Sequence, residues 1–304
     1  MFSVADLDST DNSVEIIASQ FFGKKLTLHS IERGPKPKVN FRRVIDDRCG
    51  ASFSAVLADL KSLNDKSVKL TSPAVVDCGS TANALRPGDV FSHVLVTSHE
   101  CKFDDESATI DATNGSNDMM RRFGSNIKMG WETSVPATDG GSLFAYRIPK
   151  DWKTQDWTRT VIATGFRVRG QLGNMINPGA PGFVYTFYAT KERGTESSKR
   201  PLIGISGDCA QAAYILRPKE DHTVQSTTSN ELGQNLTIDS TTKYELMCEI
   251  ECGATVGSLA IGYDDFCGLE QQSGFAKIYI PCYEKDKILV FAVGDGDEED
   301  YDEF

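Results

Sequence analysis

The chain has 304 residues, is 39% hydrophobic and 25% charged, and carries a formal net charge of −11. That length can bury a sizeable core, in one large domain or two smaller ones. No apolar run approaches the roughly 18 residues that span a membrane. The N-terminus has no basic region followed by an apolar one, so no export signal is expected. The eight cysteines therefore read as reduced thiols rather than a disulfide framework.

In chain order, residues 1–13 are acidic and small-polar, and disorder is expected there. Residues 14–19 and 25–31 read as strands broken at Phe22-Gly23. Residues 33–43 are basic and punctuated by prolines, a loop leading into a short strand. Residues 52–64 predict the one substantial helix. Phe53, Val56, Leu57, Leu60 and Leu63 fall at helical spacing, and Ser52 or Ser54 could cap its start. Residues 68–77 return to extended structure, and 89–98 form an apolar strand. An acidic turn at Asp104-Asp105-Glu106 leads to a strand at 108–112.

The three cleanest strand signals lie at 143–148, 161–172 and 183–190. In the second, Ile162, Thr164, Phe166, Val168 and Leu172 share one face, and Ala163, Arg167, Arg169 and Gln171 the other. Two prolines and two glycines within 174–182 separate the second from the third. Together the three predict the centre of an antiparallel β-domain with one wet, basic face. Further strands are expected at 202–206, 213–216, 236–238, 244–251, 258–262, 276–281 and 288–293. Strands this closely spaced predict an all-β fold, an antiparallel sandwich or jelly-roll-like core carrying the one helix. The expected division is a β-rich core over 14–191, a charged loop at 192–200, a β-rich part over 201–294 and a tail. Seven acids lie between Asp295 and Glu303, so the tail reads as solvated and disordered. It could also compete for a basic nucleic-acid groove.

Few constellations carry chemistry. His93, His99 and Cys101 share a face if 90–101 is extended, but their spacing matches no common zinc pattern, and hydrogen-bonded strand histidines are the better reading. Cys248 and Cys252 have no second close pair. Asn114 and Asn235 begin glycosylation triplets that are chance in a chain that is not exported. Asp264-Asp265 and Asp104-Asp105 are turn residues. No phosphate-binding loop, dinucleotide fingerprint or His-Glu-x-x-His occurs, so no cofactor and no metal is implied.

Gly204-Ile-Ser-Gly-Asp208 resembles the nucleophile turn of trypsin-like serine proteases, with His99, Asp111 and Ser206 in the order of a triad. The histidine segment is misaligned, Asp208-Cys209 replaces the second glycine, and too much chain follows. Hydrolysis is therefore not expected.

The stronger signal is basic and aromatic. Arg147, Lys150, Lys153, Arg159, Arg167 and Arg169 surround the central strands, together with Trp152 and Trp157. Cations neutralise phosphates and exposed aromatics stack on unpaired bases, which is what a non-specific single-strand RNA surface needs. Equally, the tryptophans could be core anchors and the arginines a wet sheet face.

The apolar stretch Asp89-Val-Phe-Ser-His-Val-Leu-Val-Thr-Ser98, an acidic turn, and Ala108-Thr-Ile-Asp111 resemble the central region of the 30K superfamily of plant-virus movement proteins. The strands at 143–148, 161–172 and 183–190 follow in that family's order, so the resemblance spans about 68–191. It implies a non-enzymatic protein that carries viral genome or nucleoprotein through plasmodesmata. It also implies binding to single-stranded RNA or viral nucleoprotein, contact with host plasmodesmal proteins and homo-oligomerisation. Its implied location is the host cytoplasm and cell junctions, with Asp111 as the family's structural aspartate. The strand-rich last third, with Asp265-Phe-Cys-Gly268, resembles a viral jelly-roll capsid protein instead, which is the alternative.

Overall fold

The computed structural model describes residues 2–5, 7, 11–60, 68–69, 90–99, 140–169, 179–190, 200–219, 236–239, 242–263 and 274–294. Asp111, the strand expected at 108–112, the loop at 192–199 and the acidic end from Asp295 lie outside them.

The described chain is all-β and antiparallel. Its first strands are β1 (Phe2–Ala5), β2 (Ser13–Gln20), β3 (Lys25–Glu32), β4 (Lys38–Asp46) and β5 (Ala55–Ala58). Then come β6 (Val68–Lys69), β7 (Val90–Phe91), β8 (His93–Ser98), β9 (Gly141–Arg147), β10 (Thr158–Phe166) and β11 (Val184–Phe187). The remainder are β12 (Leu202–Ser206), β13 (Ala212–Pro218), β14 (Thr237–Ile238), β15 (Tyr244–Glu251), β16 (Ala260–Tyr263), β17 (Ala276–Cys282) and β18 (Lys287–Ala292). They form sheet I (β1-β2-β3-β4), sheet II (β14-β10-β9-β8-β5), sheet III (β11-β12-β13-β15), sheet IV (β16-β17-β18) and a β6-β7 ribbon. No described helix is long and apolar enough to cross a membrane.

Three apolar cores stack the sheets in the order I, II, III, IV. Ile17, Leu26 and Leu28 of sheet I meet Leu57, Val94, Val96, Phe144 and Tyr146 of sheet II. From the other face of sheet II, Val56, Leu95, Leu143, Ala145 and Phe166 meet Ile203, Ile205, Tyr214 and Leu216 of sheet III. Sheet III in turn packs Tyr185, Phe187 and Ile215 against Ile261, Ile278 and Ile280 of sheet IV. The inner sheets are thus apolar on both faces, and every residue of β8 is buried. Polar stitches register the middle layers. Thr97 Oγ1 donates to the Gly182 carbonyl (2.7 Å), and the Val184 N–H donates to Ser54 Oγ (3.3 Å).

Two expectations are corrected here. Ala55–Ala58 is a strand paired with β8, from Ala55 opposite Val96 to Ala58 opposite His93, in place of the first half of the expected helix. Residues 61–64 lie outside the described set. The strand is apolar because it is buried on both faces, with Val56 and Ala58 facing one core and Ala55 and Leu57 the other. A short run of that kind fits helical spacing as well as a strand. Ser54 is an inter-sheet ligand and no cap.

The N-terminus is also ordered where described. β1 pairs with β2, Ser3 Oγ donates to the Ala55 carbonyl (2.8 Å), and the Leu7 N–H donates to the Glu15 carboxylate (2.9 Å).

The central three strands do not form one sheet. β9 and β10 pair with each other, whereas β11 joins sheet III across the core. Register shifts in β10 after Val161 and Thr164 also break its simple alternation, so Ile162 and Ala163 both reach the same core.

Leu95 sits mid-strand in the core between sheets II and III and is fully buried. Leu95→Ala should cost about 2–5 kcal/mol of unfolding free energy, measured by urea denaturation. The exposed Ile288→Ala should change it by no more than about 0.5 kcal/mol.

Candidate nucleic-acid interface

Of the six cations expected to form one surface, the fold separates two groups. Arg147, Lys150, Lys153 and Arg159 lie at one end of the β9-β10 pair, where Arg147 is opposite Thr158. Arg167 and Arg169 follow the other end of β10, about 26 Å away at ~3.3 Å per residue.

Two of the six are consumed by internal ion pairs. Arg159 Nη1 lies 3.1 Å from Asp46 Oδ2, and both side chains are only 13% exposed. The Tyr146 hydroxyl donates to the same Oδ2 (2.7 Å), and the guanidinium sits 5.0 Å from the centre of the Phe144 ring. Burial and then the neighbouring Asp46 charge push the Tyr146 hydroxyl well above the ordinary range. Arg169 donates from Nη2 to Glu249 and from Nη1 to Glu251, each at 2.5 Å, which ties the chain after β10 to β15. Arg167 is exposed.

The tryptophans are core anchors. Trp152 and Trp157 are buried between sheets I and II. Trp152 Nε1 donates to the Leu7 carbonyl (3.2 Å) and Trp157 Nε1 to the Trp152 carbonyl (3.4 Å). Neither ring is available to a base.

Lys150 and Lys153 nevertheless belong to a basic strip, and its other half comes from the segment read as a loop leading into a short strand. The β3-β4 hairpin carries Lys36, Lys38, Arg42 and Arg43. Arg43 Nη1 donates to the Gln155 carbonyl (3.0 Å) and its Nη2 lies 3.2 Å from Asp156, which fastens β4 to the 150–156 turn. Arg42 and Lys153 flank the Trp152 ring at 5.9 and 5.0 Å. Asp11 partly neutralises both, at 3.9 and 3.6 Å. Lys36, Lys38 and Lys150 are exposed. Phe41 of the same strand is 61% exposed, with His29 against its ring at 5.5 Å. A shallow open depression lined by Leu7, Lys150, Trp152 and Lys153 continues the strip. The missed signal was Val39-Asn-Phe41-Arg, an alternating strand inside a basic run.

The other candidate chemistries are structural. Ser206 is fully buried. Its Oγ accepts the Phe183 N–H (2.7 Å), and its remaining partners among the described residues are backbone carbonyls of Phe183 and Gly257. Gly182 leaves it no room, since a Cβ there would lie 2.6 Å from Ser206 Oγ. His93 Nδ1 shares a 2.7 Å hydrogen bond with Ser92 Oγ, and burial followed by Arg147 and Arg200 lowers its pKa to about 4. His99 packs edge-on against Phe21 and Phe53. Cys101 lies outside the described residues, among which no three metal-ligating side chains gather.

No protein-family model and no curated protein matches this sequence.

Asp46 holds a half-buried cation and a buried hydroxyl at once. Asp46→Ala should lower stability by about 1–3 kcal/mol, read from chemical denaturation, because the Tyr146 hydroxyl and Arg159 both lose this acceptor.

Asp208 is half-buried in a turn at φ 50°, and desolvation raises its pKa from 3.8 to about 6. Ionising it is therefore harder in the folded chain than in the unfolded one. Its destabilising effect is absent below about pH 4 and grows as pH rises through about 6. Asp208→Asn, which tolerates this backbone, should be more stable than the parent at pH 7. It should also flatten the fall in melting temperature between pH 4 and 6.

Proposed function

We propose that the protein is a viral cell-to-cell movement protein. It carries genome or nucleoprotein through plasmodesmata and binds single-stranded RNA without sequence preference. The observation that carries this reading is the exposure of Lys36, Lys38 and Phe41 on the hairpin of an outer sheet, together with exposed Lys150 in the turn that Arg43 fastens to that hairpin. Cations of that kind displace the counterions of phosphates, and an exposed ring stacks on any base. Carriage needs a rigid scaffold and a docking surface rather than bond chemistry, so the protein acts without catalysis. Host plasmodesmal proteins, oligomerisation of the chain, and residence in the host cytoplasm and at cell junctions belong to the same reading, as does a sandwich or jelly-roll-like core.

One observation favours the alternative of a capsid subunit. Both outermost sheets expose large apolar side chains, as an assembling shell protein would. Uniform closed particles in electron micrographs of the purified protein would favour that reading.

Binding is tested by fluorescence anisotropy with a labelled single-stranded oligonucleotide across salt. Affinity should fall as salt rises. Lys36→Ala/Lys38→Ala/Lys150→Ala should weaken binding and reduce the salt slope by about 0.7 for each phosphate no longer neutralised. Phe41→Ala should cost about 1–3 kcal/mol. Arg167→Ala/Arg169→Ala should matter less, since Arg169 is ion-paired. Truncation after Gly294 should strengthen binding if the acids compete for the strip. Absence of binding by both parent and truncation at low salt would rule out direct carriage of RNA.

A further inference from the structure

The two ends of the sheet stack are chemically unfinished in complementary ways. The core-facing side of sheet I is closed by sheet II, but its outer side is not polar. Register places Val14, Ile31 and Val39 in one row across it, and Ile16, His29 and Phe41 in the next. Val39 is 59% exposed and Phe41 61%. At the other end, register aligns Ala260, Tyr279 and Val290 across the outer side of sheet IV, with Pro281 beside Ile288. Ile288 is 63% exposed and Val290 52%, while their neighbour Leu289 packs on the side toward sheet III.

A stack of layers stays soluble as a single unit when its end layers are polar. Contiguous exposed apolar rows instead mark an interaction surface. Among the described residues, Val39 and Phe41 stay exposed on one of these faces and Tyr279, Ile288 and Val290 on the other.

Charge supplies the orientation. The sheet I face is rimmed at its hairpin by Lys36 and Lys38. The sheet IV face is rimmed by the end of β18, where Gly294 leads directly into the seven acids between Asp295 and Glu303. The ten residues after Gly294 can reach about 33 Å when extended, enough to cross a sheet face. Like faces brought together would instead oppose tail to tail or lysine to lysine.

We propose that the occupant of both faces is a second copy of this chain. The outer face of sheet IV in one copy packs on the outer face of sheet I in the next, and the acidic tail clasps the Lys36-Lys38 hairpin. Each such interface repeats the apolar layering already present three times inside the chain. It is heterologous, so it leaves one free face at each end and builds rings or open filaments. The inference deepens the oligomerisation in the proposed function but does not depend on RNA binding. Where both operate, Phe41 is shared, so RNA and the next copy exclude each other there.

The test uses light scattering coupled to size exclusion on the full chain and two surface variants, Ile288→Lys/Val290→Lys on sheet IV and Val39→Lys/Phe41→Glu on sheet I. The parent should grow beyond a dimer as concentration rises, and each variant alone should be monomeric. An equimolar mixture of the two variants should give particles of two chains and no larger, since each retains the face that the other has had disabled. Truncation after Gly294 removes no described residue. It should weaken assembly at low salt and remove its salt dependence. The sheet IV variant should keep the parent's RNA affinity, which separates failure of assembly from failure of RNA carriage. A parent that stays monomeric at its highest soluble concentration overturns the proposal. So does a sheet I variant that dimerises alone, which would indicate a symmetric sheet IV interface, or a mixture that stays monomeric with both variants melting like the parent.

Discussion

The layered structure depends on sheet II, whose strands β5 and β8 are shielded from water on both faces. Sheet II has β8 wholly buried, with Leu95 facing one core and Val94 and Val96 the other. Such a sheet is stable only if both faces are covered, so sheets I and III are obligatory partners. Sheet III faces the same demand and is closed by sheet IV. The layers are therefore interdependent, and the polar stitches of Ser3, Ser54 and Thr97 fix how they lie over one another.

Placing charges at the seams of such a stack has a consequence for the surface. Arginines are used where two layers must be tied. Arg159 reaches Asp46 across sheets I and II, Arg43 clasps the 153–156 turn, and Arg169 bridges two glutamates of β15. A planar guanidinium can make several directed bonds at once, which suits these sites. Lys36, Lys38 and Lys150 stay exposed to solvent. The chain is acidic overall, yet these three lysines remain open to a partner.

The same layering explains why function concentrates at the ends. Inner faces are consumed by packing, and His93 and Ser206 are absorbed into it, through Ser92 and through the backbone of Phe183. Among the described residues, the outer faces of sheets I and IV keep large apolar side chains able to meet a partner. Phe41, Ile288 and Val290 are large, apolar and exposed because nothing described in the same chain packs over them.

Alternation and turn residues by themselves determined the all-β class and most strand positions. β12 and β15 fall where the pattern puts them, and β2, β3, β17 and β18 fall within one or two residues. These signals are local, because one side chain in two faces each way along a strand. What only the tertiary structure decided is which strand pairs with which, and what each polar group meets. The run Ala55–Ala58 fits a helix until β8 is beside it. Trp152 is as plausible on a base as in a core until Leu7 accepts its N–H. Arg159 and Arg169 look like a free basic face until Asp46 and Glu249, 113 and 80 residues away in sequence, arrive to neutralise them. Partners that distant leave no periodic trace in a sequence, because the fold alone brings them within hydrogen-bond range.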